Sequence, residues 1–216
     1  MTSDNKKRFR GFFLVGILLT LSEIIKQFLL TFAVNGGSYY WWYFPFQLCS
    51  IPMYLMLLLP FLPARAQNTF LTFLATFGLL GGIAAFADTS GLHYTLAVLT
   101  AHSYIWHIVL ILTGLYAGIT LIRTRALCAG AFLVSALFYL LCCLAAIFIN
   151  LTFDSYGTIN MFYINPDYMM QQVVFRDIAV KLGNPAAIFL YISATICGAF
   201  LLFLIWKFAD HVRPKP

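Results

Sequence analysis

Long apolar blocks separated by short polar breaks organise this chain. A helix needs about 20 predominantly apolar residues to cross a bilayer. Six blocks reach that length: 11–34, 43–62, 69–88, 93–121, 126–151 and 185–208. They take up most of the 216 residues and leave no room for a soluble domain. The expected fold class is therefore all-α: one domain over residues 1–216, a bundle of six transmembrane helices.

Most of the breaks are short turns, such as Asn35-Gly36-Gly37-Ser38, Pro60-Phe61-Leu62-Pro63 and Asp88-Thr89-Ser90-Gly91. The exception is 152–184, a long loop between the fifth and sixth spans that alternates polar and aromatic residues. Loops of that length in compact proteins are usually functional or mobile. Helical periodicity from Tyr168 to Val180 fits a short helix lying in the interface or capping the outer face. Pro45 suits the first turn of the second span, where its missing N–H costs little. Pro52 lies deeper and is expected to kink that helix just after Cys49. Gly78, Gly81 and Gly82 in the third span allow close helix approach.

Charge sets the expected orientation. Of 13 Lys and Arg, ten lie at the N-terminus, after spans two and four, or at the C-terminus (Lys6, Lys7, Arg8, Arg10, Arg65, Arg123, Arg125, Lys207, Arg213 and Lys215). The opposite loops carry Arg176 and Lys181, and Lys26 is inside a span. That asymmetry predicts both termini in the cytoplasm. It also accounts for the net charge of +6 as topology, which argues against a nucleic-acid partner. The cluster Tyr39-Tyr40-Trp41-Trp42-Tyr43 then falls at the outer interface, where amphipathic rings prefer to sit. The first apolar block is too long for a signal peptide, contains Glu23, Lys26 and Gln27, and ends without a small-residue cleavage site. It reads as an uncleaved first helix.

With 62% hydrophobic and 9% charged residues, each intramembrane polar group needs a reason. Glu23, Lys26 and Gln27 share one face of the first span, and Glu23 with Lys26 can neutralise each other. Gln47 and Cys49 open the second span but face directions roughly 200° apart. His102, Ser103 and His107 lie in the fourth span, with Ser103 and His107 on one face. Asn150, Asn160 and Asn165 gather around the outer end of the fifth. Any of these serves equally as a packing residue that hydrogen-bonds its neighbours.

The five cysteines (49, 128, 142, 143 and 197) lie in or at the ends of apolar blocks, which does not suit a disulfide framework. No Cys/His spacing fits zinc, so neither a metal nor another cofactor is expected. Counted at a helical rise of about 1.5 Å per residue, Cys49 lies about 9 Å in, His102 about 13 Å and His107 about 21 Å. By that depth His102 is the better neighbour of Cys49. A thiol with an imidazole base is the minimum apparatus for acyl transfer through a thioester.

Several short motifs occur in an order that resembles the YwaF-like family of bacterial integral membrane proteins. They are Glu23-Ile-Ile-Lys26-Gln27, Phe44-Pro-Phe-Gln-Leu-Cys49-Ser50, Phe77-Gly78-Leu-Leu-Gly81, His107 followed by Leu115-Tyr116, Asn150, and Asn160-Met161-Phe162 with Pro166 beyond. That family in turn distantly resembles the eukaryotic transmembrane protein 164, an ether-phospholipid acyltransferase. The resemblance covers about residues 20–206. It implies a multi-pass protein of the bacterial cytoplasmic membrane, with Cys49 as the acyl-carrying nucleophile and His107 as its histidine. One departure is Gln47, where the family often has His.

The leading expectation is thus a lipid acyltransferase or transacylase with Cys49 and His107 catalytic and membrane lipid as partner. Glu23, Lys26, Gln27, Gln47, His102, Asn150 and Asn160 would line the substrate site. The alternative is a small-solute transporter or substrate-binding membrane subunit, with the cysteine incidental. A structural partner of another membrane protein is a third.

Overall fold

The computed structural model describes residues 3–212, with side chains from Phe9 onward. Arg213 and Lys215 of the basic set, and the side chains of Lys6, Lys7 and Arg8, lie outside the described residues. Every regular element among the described residues is helical. Helix α1 (Ser3–Phe28) continues through a π turn (Leu29–Val34). The short α2 (Ile51–Leu58) ends in a 3-10 turn, Leu59–Phe61. Helices α3 (Ala64–Phe73) and α4 (Leu79–Ala87) join through a π turn (Leu74–Gly78) into one rod. Helices α5 (Ala97–Thr124), α6 (Ala129–Thr152), the short α7 (Phe175–Leu182) and α8 (Asn184–Val212) complete the chain.

Five of these rods are long and apolar enough to cross a membrane: Phe9–Val34, Ala64–Ala87, Ala97–Thr124, Ala129–Thr152 and Asn184–Val212. The α3–α4 rod and α5 are central, with 56% and 50% of their apolar windows buried, against 22–33% for the other three. The outer rods turn Leu, Ile and Phe outward, for example Leu18, Phe28, Leu141, Phe148 and Leu201. An apolar exterior is the arrangement a lipid solvent favours. Gly82 seats α4 on α5: a Cβ there would stand 2.9 Å from Ile111 Cγ1 and 3.2 Å from the His107 carbonyl oxygen.

The second expected span differs from its prediction. Only Ile51–Phe61 is helical, and residues 44–50 are turns and extended backbone. Pro52 does not kink a longer helix; it sits in the first turn of α2, where a residue without an N–H fits. The whole segment still runs antiparallel to α1. Gln27 Nε2 donates to the Tyr43 carbonyl at 2.6 Å, Gly16 packs on Met56 and Leu57, and the Phe13 and Phe61 rings lie 5.7 Å apart. From the level of Gln27 to that of Phe13 is about 21 Å along α1.

Unwound backbone at such depth needs partners, because lipid offers none. Side chains provide them. Besides Gln27 on Tyr43, the Tyr54 hydroxyl donates to the Pro45 carbonyl at 2.9 Å, and the Trp106 indole N–H to the Cys49 carbonyl at 3.1 Å.

The long loop is partly buried in the bundle. Ile159, Asn160, Met161, Phe162, Ile164, Asn165 and Met170 are all buried. Phe162 packs on Phe46 and Tyr139, so the loop re-enters the bundle as a plug. The helix expected from Tyr168 to Val180 forms only as Phe175–Leu182, on the far side of Val174 with its φ of 74°.

Candidate functional site at the broken second segment

The plug is held by side-chain amides. Gln47 Nε2 donates to the Asn160 carbonyl at 3.0 Å while its Oε1 accepts from the Phe162 N–H at 2.7 Å. Asn150 does the same for Met161, accepting its N–H at 2.6 Å and donating to its carbonyl at 3.2 Å. Asn160 Oδ1 takes the Asn165 N–H at 3.0 Å, and Asn165 Nδ2 reaches the Ile159 carbonyl at 2.6 Å. Three expected site residues, Gln47, Asn150 and Asn160, thus spend most of their polar atoms on one loop backbone. Phe162 and Tyr163 have φ of 57° and 59°, a left-handed pair that non-glycine residues rarely adopt.

A second polar cluster rises from α1. Glu23, 4% exposed, accepts from Lys26 Nζ at 2.8 Å and from Gln27 Nε2 at 2.6 Å. A buried carboxylate is tolerated when it is paired and hydrogen-bonded in this way. The charges of Glu23 and Lys26 are felt at both Cys49 and His102, and that of Lys26 at His107, so the three sequence motifs share one neighbourhood.

Cys49 is half-buried, one residue before Ser50, which precedes the first turn of α2. Its carbonyl is fixed to Trp106, the residue before His107. The chain around Cys49 is not fully extended: the Phe46 N–H bonds the Phe44 carbonyl, and the Ser50 and Ile51 N–H groups bond the Gln47 carbonyl. Both histidines border the same indole, His107 as the next residue along α5 and His102 with its ring 5.6 Å from that of Trp106.

His107 is 8% exposed, and its Nδ1 lies 2.7 Å from the Ser103 carbonyl oxygen. A carbonyl can only accept, so Nδ1 holds the proton and Nε2 carries the lone pair. The neutral ring is set in the tautomer of a base. Three buried polar atoms in these clusters lack a hydrogen-bond partner among the described residues: Gln27 Oε1, His102 Nε2 and Asn160 Nδ2. Such atoms are uncommon and each asks for a water or a ligand.

Sequence reasoning missed several residues. Trp106 read as one more apolar position, although an indole N–H deep in a span needs an acceptor. Tyr94, Tyr163 and Tyr191 all lie within electrostatic reach of Cys49 and come from three separate segments. Their hydroxyls in apolar surroundings were the available signal. Cys142 and Cys143 are buried, Cys128 and Cys197 exposed, and no group of three metal-ligating side chains occurs among the described residues.

A model of the TMEM164 family matches residues 1–206. No curated protein and no solved structure matches the chain. Bilayer-length helices and a family match over nearly the whole length lead to one identification: this chain is a multi-pass membrane protein of the TMEM164 family.

Proposed function

We propose that this protein is a lipid acyltransferase or transacylase that works through a thioester on Cys49, with His107 as general base. The supporting observation is the thiol at the start of a half-helix, tied by its own carbonyl to the residue beside a buried histidine in the base tautomer. In the first half-reaction His107 Nε2 takes the thiol proton and the thiolate adds to an ester carbonyl of a phospholipid. Collapse breaks the ester C–O bond, and the departing glycerol oxygen recovers the proton from the imidazolium. In the second, an acceptor hydroxyl gives its proton to Nε2 and attacks the thioester, which returns acyl group to oxygen and thiolate to thiol.

The remaining parts have graded roles in this reading. Asn160 Nδ2, and His102 Nε2 when it carries the ring proton, donate to the ester or headgroup oxygens, and Gln27 Oε1 accepts from the acceptor hydroxyl. Glu23 and Lys26 set the local field, and Gln27 ties α1 to the broken segment. Gln47 and Asn150 position the plug that closes the site from above. The segment 43–61 completes a sixth crossing, both termini face the cytoplasm, and the site opens toward the outer half of a bacterial cytoplasmic membrane.

Acyl exchange in proteoliposomes tests the proposal. A labelled acyl chain should move from phospholipid to lysophospholipid with the parent protein and not with Cys49→Ala. Exchange that persists in Cys49→Ala would overturn it. The unpaired His102 Nε2 also favours a second reading, a solute site lined by Glu23, Lys26, Gln47 and His102, in which Cys49→Ala leaves solute uptake unchanged.

A further inference from the structure

A cleft of about 490 Å³ opens at the end of the bundle where α1 finishes. Six aromatic side chains line it: Tyr40, Trp41, Trp42 and Tyr43 from one loop, and Tyr156 and Tyr168 from the other. Gly157 and Thr158 complete the wall, so no charged side chain enters it. The rings are set in place from both sides. Trp41 stacks on Phe153 at 4.6 Å, and Trp42 meets Tyr168 edge-on at 5.6 Å.

The surroundings are acidic. Asp154 and Asp167, both exposed, lie within two residues of the lining Tyr156 and Tyr168. The loops at this end carry Asp88, Asp154, Asp167 and Asp177 against Arg176 and Lys181, a net charge of −2 (two bases minus four acids). Asp88 is firmly ionised, because the Ser90 hydroxyl and backbone N–H hold its carboxyl below the usual range. An uncharged aromatic wall in loops of net negative charge attracts a soft cation and does little for an anion. Ring faces hold a quaternary ammonium by their negative quadrupole, and Trp does so best.

We infer that this cleft seats the ammonium headgroup of a zwitterionic phospholipid. The lipid source follows from its place: an aromatic loop at the end of bilayer-length helices stands at the level of the headgroups. The inference stands without the thiol chemistry, although the same headgroup would bring an ester toward the broken segment if that chemistry holds.

Native mass spectrometry of the protein released from maltoside micelles tests it. The micelles would carry equal phosphatidylcholine and phosphatidylglycerol of matched chains. Bound phosphatidylcholine should exceed phosphatidylglycerol by about fivefold or more. Trp42→Leu, which keeps apolar bulk but removes the ring, should abolish that preference, and Trp42→Phe should retain part of it. A melting curve of each variant in detergent confirms that it is folded, and Tyr40→Leu, at a half-exposed position, gives a second arm if Trp42→Leu is not. Equal retention of the two lipids would overturn the inference and leave an ordinary interfacial belt. So would full displacement of the lipid by an equal concentration of free choline, which would mark a soluble cation as the occupant. Acyl exchange read in the same Trp42→Leu protein separates the two proposals, since loss of headgroup preference leaves Cys49 chemistry to be measured independently.

Discussion

Replacing Asn150 by Leu should loosen the buried loop selectively. The two side chains are close in volume, so the change leaves little cavity and mainly deletes polar atoms. Asn150 and Met161 are both fully buried, and Asn150 serves both the N–H and the carbonyl of Met161. Each buried backbone group left unsatisfied costs about 1–3 kcal/mol, so the two together cost about 2–6 kcal/mol. Even the lower bound raises the local opening constant about 30-fold. Hydrogen exchange read by mass spectrometry on peptides covering 159–165 should show at least that acceleration. Peptides from the α3–α4 rod should change far less. Leu151→Ala, at a lipid-facing position 51% exposed, is the control and should leave the loop as it was. If amides of 159–165 exchange no faster in Asn150→Leu than in the parent, the loop is not held by this clamp and the plug account fails.

Three further outcomes follow from the same structure. In a cysteine-free background, single cysteines at Ser38 and Ser155 should be labelled from outside intact cells and one at Ala66 should not; the reverse pattern would invert the bundle. Glu23→Gln should lower detergent stability by about 3–5 kcal/mol because it strands Lys26, whereas Glu23→Gln with Lys26→Met should cost less; additive losses would show that the two act separately. Gly82→Ala should destabilise by about 1–3 kcal/mol because its Cβ meets Ile111 and the His107 carbonyl, while Gly81→Ala, facing Leu48 at 3.7 Å, should be neutral or mildly stabilising; equal melting of both would contradict the α4–α5 contact.

The rods were legible in the sequence because length and hydropathy decide them locally. The expected block 185–208 became Asn184–Val212, and 126–151 became Ala129–Thr152. The second block misled because it is apolar throughout, and hydropathy cannot tell a helix from a backbone served by Gln27, Tyr54 and Trp106. Those partners come from α1, α2 and α5, and the Trp106 bond joins residues 57 apart in sequence. The loop misled for the same reason. Its mixed polar and aromatic sequence did not show burial, because Gln47 reaches its backbone from 113 and 115 residues away and makes that burial possible. Of the candidate site, Glu23 with Lys26 was readable from helical spacing alone. The Trp106 indole between Cys49 and the two histidines was not, since its bond to the Cys49 carbonyl joins segments distant in sequence.

The most direct test of the central proposal is the mass of the peptide containing Cys49. Purified protein offered phospholipid should gain one fatty-acyl mass there, and neutral hydroxylamine, which cleaves thioesters, should remove it. His107→Ala should slow its formation at least tenfold more than His102→Ala, because the base must reach the thiol directly or through one water. Cys142 and Cys143, both buried, should remain unmodified. A Cys49 peptide that stays unacylated while acyl exchange proceeds would contradict the thioester account.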